Sequence, residues 1–145
     1  MKTSCLFVGC PSGYTAHGVS CFKAYNQGKT YNQARQVCAT DGGLLAMPKD
    51  KDEDDFLKNV VDPNSPFWFG LSNQNGEGGW VWEDGTPYNA TKDRPYGGWH
   101  PGEPNSDGHA DVCANHYRTG WNDAPCSSAH NFICQLTGGM SCSIV

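Results

Sequence analysis

The spacing of apolar residues changes period several times along the chain, and each change marks an element. From Tyr31 to Thr40 the apolar positions Tyr31, Ala34, Val37 and Cys38 recur at helical spacing. Thr30 before them and Gln33 three residues later form a capping box, and Gly42-Gly43 ends the run. A second helix opens at Asp50 with Glu53, carries Phe56, Leu57, Val60 and Val61, and is stopped by Pro63. Shorter runs predict strands: Val19 to Tyr25, Leu44 to Ala46, Phe67 to Leu71 and Trp80 to Trp82. The closing antiparallel strands are Asp111 to Tyr117, Gly120 to Asn122 and Asn131 to Leu136. Strand alternation buries every other tryptophan of the aromatic strands, so these rings belong to the core and not to a binding platform. Between Asp84 and Gly102 periodicity gives way to Gly, Pro and Asn, and a loop this long inside a compact domain is usually functional.

Composition narrows this α+β reading. The 145 residues make one domain, residues 1–145 with a core from about 10 to 136, whose modest hydrophobic fraction of 37% and 18 glycines call for covalent staples. Eight cysteines supply them: Cys5, Cys10, Cys21, Cys38, Cys113, Cys126, Cys134 and Cys142. Their even number implies disulfides and an oxidising, secreted, extracellular setting, and leaves on the order of a hundred pairings open. Cys10 to Cys21 reads as a hairpin closed by one bridge, and Cys38 faces inward on its helix. Secretion is inferred from the cysteines, because Leu6-Phe7-Val8 is too short for a leader and Met1 reads as the start of a trimmed mature chain. A formal charge of -5 with no Lys/Arg cluster disfavours nucleic acid and anionic membranes, and no apolar run is long enough for membrane insertion. Asn89-Ala90-Thr91 is a glycosylation sequon.

Candidate chemistry gathers between Trp99 and Asp123. Glu103, Asn105, Asp111, Asn122 and Asp123 combine carboxylates with carboxamides, the oxygen ligands of a hard cation such as calcium. Zinc would take imidazoles or thiolates instead. His100, His109, His116 and His130 match no zinc or triad spacing, so an enzyme is not expected. The acidic run Asp50 to Asp55 complements the dipole of the second helix and is given no function.

Four features together with the cysteine spacing carry a resemblance: Trp68-Phe69-Gly70-Leu71, Trp80-x-Trp82 with Asp84-Gly85, Glu103-Pro104-Asn105, and Trp121-Asn122-Asp123 before Cys126. The chain resembles the C-type lectin-like domain in its long form, with an additional N-terminal hairpin, from Cys10 to about Leu136. The resemblance implies two helices packed on small antiparallel sheets with a long calcium-binding loop region. It implies the bridges Cys10–Cys21, Cys38–Cys134 and Cys113–Cys126. The second closes nearly a hundred residues, about 4–5 kcal/mol in the chain-entropy model. Cys5 and Cys142 lie outside the common pattern, and a fourth intrachain bridge is expected, with an intermolecular bond and a homo-oligomer as the competing reading.

The resemblance further implies one calcium held by Glu103, Asn105, Asp111, Asn122 and Asp123, with a cis Glu103–Pro104 bond. Sugar would contact Glu103 and Asn105 through one hydroxyl and Asp111 and Asn122 through the other, carboxylates accepting and amides donating. The Glu-Pro-Asn order goes with mannose, GlcNAc and fucose-type termini, and microbial surface polysaccharide recognised in innate immunity is the expected partner. Asp111 departs from the usual Glu and is one methylene shorter. An auxiliary calcium site would map near Asn73, Glu77, Ser106 and Val112 and is expected to be absent or weak. Asp107 and His109 stand where a second sugar contact could form, although an exposed loop histidine is the plainer reading of His109. The alternative function is a module that binds a protein or another non-glycan ligand, with calcium structural only.

Overall fold

The computed structural model describes residues 2–62, 64–74, 79–88, 98–105, 111–118 and 120–144. The expectations for Pro63, Glu77, the Asn89 sequon, Ser106, Asp107 and His109 lie outside those residues. In chain order the elements are β1 (Thr3–Gly9), β2 (Thr15–His17), β3 (Ser20–Lys29), α1 (Tyr31–Thr40), β4 (Leu44–Leu45) and α2 (Lys51–Val60). There follow β5 (Phe67–Asn73), β6 (Val81–Trp82), β7 (Val112–Tyr117), β8 (Gly120–Pro125), β9 (His130–Thr137) and β10 (Gly139–Ile144).

Both helices start where local chemistry places them. Thr30 accepts from the Gln33 N–H while the Gln33 side chain accepts from the Thr30 N–H, so two donors of the first turn of α1 are satisfied reciprocally. The Asp50 carboxylate caps α2 by accepting from Glu53 N–H at 2.8 Å. Tyr31, Ala34 and Cys38 form the buried face of α1, and Leu57 is the buried apolar side chain of α2.

One sheet runs in the order β2-β3-β9-β5-β7-β8, with β4 added on β9 and β6 on β5. Its neighbours are antiparallel except β5 and β9, which run parallel where Phe67 meets Asn131 and Trp68 meets Phe132. That junction joins two antiparallel halves into one mixed sheet, beside the small antiparallel sheet of β1 and β10. On β9, Phe132 and Cys134 pack with the buried face of α1, while Ile133 points the other way and packs with Leu57 of α2. Helices therefore cover both faces. This corrects the alternation argument for the aromatic strand: Phe67, Trp68 and Phe69 are all buried, because β5 has a covered face on each side. The core reading of Trp68 and Trp82 stands, and Trp80 is half-buried against Trp99 at 5.0 Å.

Four disulfides link Cys5–Cys142, Cys10–Cys21, Cys38–Cys134 and Cys113–Cys126, and no described cysteine is free. Cys38–Cys134 ties α1 to β9, which answers what Cys38 faces. Cys5 and Cys142 sit opposite each other in a separate two-stranded ribbon of β1 and β10. None of the described helices is long and apolar enough to cross a membrane.

Candidate functional site

The site begins with a buried tryptophan. Trp121 lies at the start of β8, fully buried, with Phe69 at 4.9 Å, Trp99 at 5.5 Å and Trp82 at 6.0 Å between ring centroids. Its indole N–H donates to the Asp54 carboxylate of α2 at 2.9 Å. Asn122 and Asp123 follow directly on the strand, so aromatic packing beneath fixes the backbone that carries them.

The loop preceding Glu103 is laid along that strand. Trp121 N–H donates to Gly98 O at 2.8 Å, and His100 N–H donates to Trp121 O at 3.0 Å. Gly98 must be glycine for this approach, since a Cβ there would come within 2.6 Å of the Trp121 ring. The chain then reverses through His100-Pro101-Gly102-Glu103, closed by Glu103 N–H donating to His100 O at 3.0 Å. Proline in the second position and Gly102 at φ +86° in the third are the residues that a type II turn requires. The His100 ring bonds Tyr117 O at 2.9 Å and so holds the turn against the hairpin of β7 and β8.

Beyond the turn, the Glu103–Pro104 bond is cis, as expected. Asn105 N–H donates to Asp123 Oδ1 at 3.1 Å, and Asn105 Nδ2 donates to Glu103 Oε2 at 3.2 Å. The other Glu103 oxygen, Oε1, is buried and has no hydrogen-bond partner among the described residues. Burial, and then the Asp123 carboxylate beside it, push the Glu103 carboxyl above its ordinary range. Two acidic side chains in mutual contact, one with a buried oxygen that lacks a donor, form an arrangement that a cation relieves. The donor set is all oxygen once the carboxamides are counted, which fits calcium.

Of the five expected ligands, Glu103, Asn105 and Asp123 are brought together. Asn122 is adjacent on β8, partly buried and paired across the ladder with Asn115. Asp111 stands exposed just before β7, with its carbonyl accepting from Cys126 N–H at 3.4 Å. Among the described residues no three of His, Cys, Asp and Glu converge, so the acidic groups form a pair and not a triad.

The described histidines among those weighed for catalysis, His100, His116 and His130, have separate structural contacts. His100 holds the turn, His116 is buried and stacks on Phe67 at 5.1 Å, and His130 contacts Trp68 edge-on at 4.5 Å. Asp54 adds a role that the dipole reading of the acidic run did not include: it is 3% exposed and accepts from the Trp121 indole. Its neighbours behave more as expected, with Asp50 capping the helix and Asp55 pairing with Lys51 at 2.6 Å. The signal for Asp54 was its spacing, one turn before the buried Leu57.

The chain is similar in sequence and fold to known proteins. A family profile described as "Lectin C-type domain" matches residues 27–136. The C-type lectin lectoxin-Lio3 of Erythrolamprus poecilogyrus is 36% identical over 136 residues, which span 87% of this chain and 80% of that one. C-type lectin domain family 4 member A of Rattus norvegicus is 32% identical over 134 residues, 88% of this chain but 54% of its own length. The chain thus spans only about half of that mammalian relative. Among solved structures, the C-type lectin domain of murine dendritic cell inhibitory receptor 2 in complex with N-glycan aligns with a TM-score of 0.75 at 32% identity, covering 88% of this chain and 98% of that one. A calcium-independent type II antifreeze protein aligns with a TM-score of 0.76 at 30% identity, over 90% of this chain and 95% of its own. C-type lectin domains are binding modules that usually hold calcium, and the antifreeze protein shows that the fold also serves without it. With its profile match, four-disulfide frame and helix-covered mixed sheet, this chain belongs to the C-type lectin domain family.

Proposed function

We propose that this domain binds mannose-type, GlcNAc-type or fucose-type sugar termini through one calcium ion at Glu103, Asn105, Asp123, Asn122 and Asp111. The observation that carries this reading is the contact of the Glu103 and Asp123 carboxylates, with Asn105 bonded to both and Glu103 Oε1 buried without a partner among the described residues. A bound calcium supplies open positions that two vicinal sugar hydroxyls can fill. The protein side chains then give direction. Glu103 accepts a hydrogen bond from a sugar hydroxyl and Asn105 donates one, and the mixed pair distinguishes the two lone-pair and proton directions of a hydroxyl better than two carboxylates would. Asp111 and Asn122 would serve the neighbouring hydroxyl. The relative in complex with N-glycan supports glycan as the ligand class, and microbial polysaccharide is the partner that a secreted form of the domain would meet.

A second reading has one observation behind it. Asp111 is exposed, no three acidic or histidine side chains converge among the described residues, and a structural relative is calcium-independent, so a protein or other non-glycan ligand would need no complete calcium shell. The Glu103→Gln plus Asn105→Asp double variant separates the two. Reversing donor and acceptor should move the sugar ranking from mannose towards galactose, read by competition with free monosaccharides. An unchanged ranking means that Glu103 and Asn105 do not touch sugar, and binding that survives both chelator and free mannose favours the non-glycan ligand.

A further inference from the structure

A carboxylate buried to 3% exposure is costly unless it is hydrogen-bonded and paired, and that of Asp54 is both. Its backbone N–H donates to Asp50 O at 3.0 Å in the first turn of α2, and Leu57 seats that helix among Phe22, Ala46, Phe67 and Ile133. The carboxylate is thus held in place from the helix side. Oδ1 accepts the Trp121 indole N–H at 2.9 Å and lies 3.7 Å from His116 Nε2, while Oδ2 lies 3.6 Å from Lys58 Nζ.

Both parts of the candidate site meet at Trp121. Its backbone N–H donates to Gly98 O and its carbonyl accepts from His100 N–H, so it carries the loop that leads to Asn105. Asn122 and Asp123 follow it on β8, and Asp123 accepts from Asn105 N–H. A displacement of Trp121 therefore reaches Asn105, Asn122 and Asp123 together. The rings around it, Phe69, Trp82 and Trp99, meet it at interplanar angles of 51°, 89° and 76°. Ring contacts of this kind hold over a broad range of offsets, whereas a hydrogen bond weakens steeply once it is misaligned. The bond to Asp54 is what sets the depth and rotation of the indole.

We propose that Asp54 is a positioning residue for the site: anchored in α2, it fixes the Trp121 indole and, through it, the strand that presents Asn122 and Asp123 and the loop that presents Asn105. Its effect on calcium rests on the calcium reading above, while its effect on the loop does not. Groups that orient metal ligands without touching the metal change affinity by roughly 10–100-fold when removed. Asp54 acts one step further away, through the backbone of β8, so the lower end of that range applies.

The test combines amide hydrogen exchange with calcium titration calorimetry on the whole chain, comparing the wild type with Asp54→Leu, Asp54→Asn and Ile133→Val. Asp54→Leu should speed exchange of the His100 and Asn105 amides and raise the calcium Kd, each by roughly tenfold. Asp54→Asn keeps an acceptor for the indole and should stay near the wild-type values. Ile133→Val loosens the same α2 packing without touching Trp121, so it should lower the melting temperature and leave both readings unchanged. Trp121→Phe removes the donor instead of the acceptor and should reproduce both changes, so the test does not depend on Asp54→Leu folding. Wild-type exchange at His100 and Asn105 in Asp54→Leu and Trp121→Phe would overturn the proposal, as would equal acceleration in Ile133→Val. An unchanged calcium Kd in Asp54→Leu would overturn it too. A wild type that takes no calcium would overturn the calcium reading alone, and the exchange rates would then decide the positioning.

Discussion

Asp54 shows how one residue couples the far side of the fold to the site. Its carboxylate is buried, accepts the Trp121 indole N–H and lies 3.7 Å from His116 Nε2 and 3.6 Å from Lys58 Nζ. Replacing it with leucine leaves the indole donor unsatisfied, so Asp54→Leu should destabilise by about 1–3 kcal/mol, whereas Asp54→Asn, which keeps an acceptor, should cost less. Thermal unfolding of the two variants checks the difference. Glu53, next in sequence, has its carboxyl pushed up to about 7 by burial and by Asp50. A folded value raised above the ordinary 4.5 means that the native state binds the extra proton between these limits. Stability therefore falls as pH rises through that window, and Glu53→Gln should stabilise at pH 8 with little effect at pH 4, read from denaturant midpoints. At Glu103 the same logic runs through the metal: protons compete with calcium, so calcium affinity should drop between neutral and mildly acidic buffer. An affinity unchanged by acid would remove Glu103 and its neighbours as ligands.

At the scale of elements, the loop from Gly98 to Asn105 is a ledge built on β8. Its backbone bonds to Trp121 and its end bonds to Asp123, so position and chemistry come from the same strand. Gly98→Ala drives a methyl group into the Trp121 ring and should cost roughly 1–3 kcal/mol together with a clear loss of sugar affinity. Thermal melts and sugar titration check the two effects, and unchanged binding would mean that the ledge does not position Asn105. What was legible in the sequence was mostly local. The Thr30 and Gln33 capping box and the Asp50 cap are set by residues three apart, so α1 and α2 begin where expected. Glu103, Asn105 and Asp123 were legible as a motif, and folding brings them into contact. The parallel junction of β5 and β9 was not, since pairing between strands more than sixty residues apart leaves no local periodicity. The strands β1 and β10 were missed for the same reason, although the pairing of their cysteines was expected. Asp54 was missed because an acid in the first turn of a helix has a sufficient explanation without burial.

At the scale of the molecule, a cross-link between α1 and β9 and a helix on each face of the sheet make a rigid base for a loop that carries the chemistry. Removing Cys38–Cys134 by paired alanine substitution should cost about 2–5 kcal/mol, read from denaturant unfolding. A single sugar site of the proposed kind would bind weakly, because most of the sugar stays in water, and several such sites presented together would raise avidity without a new contact. The most direct test of the account is a glycan array read first in calcium and then in EDTA. Signal on mannose, GlcNAc or fucose termini that vanishes in EDTA is the predicted result. Signal that persists in EDTA, or no glycan signal in either buffer, would contradict a calcium-held sugar site at Glu103, Asn105 and Asp123.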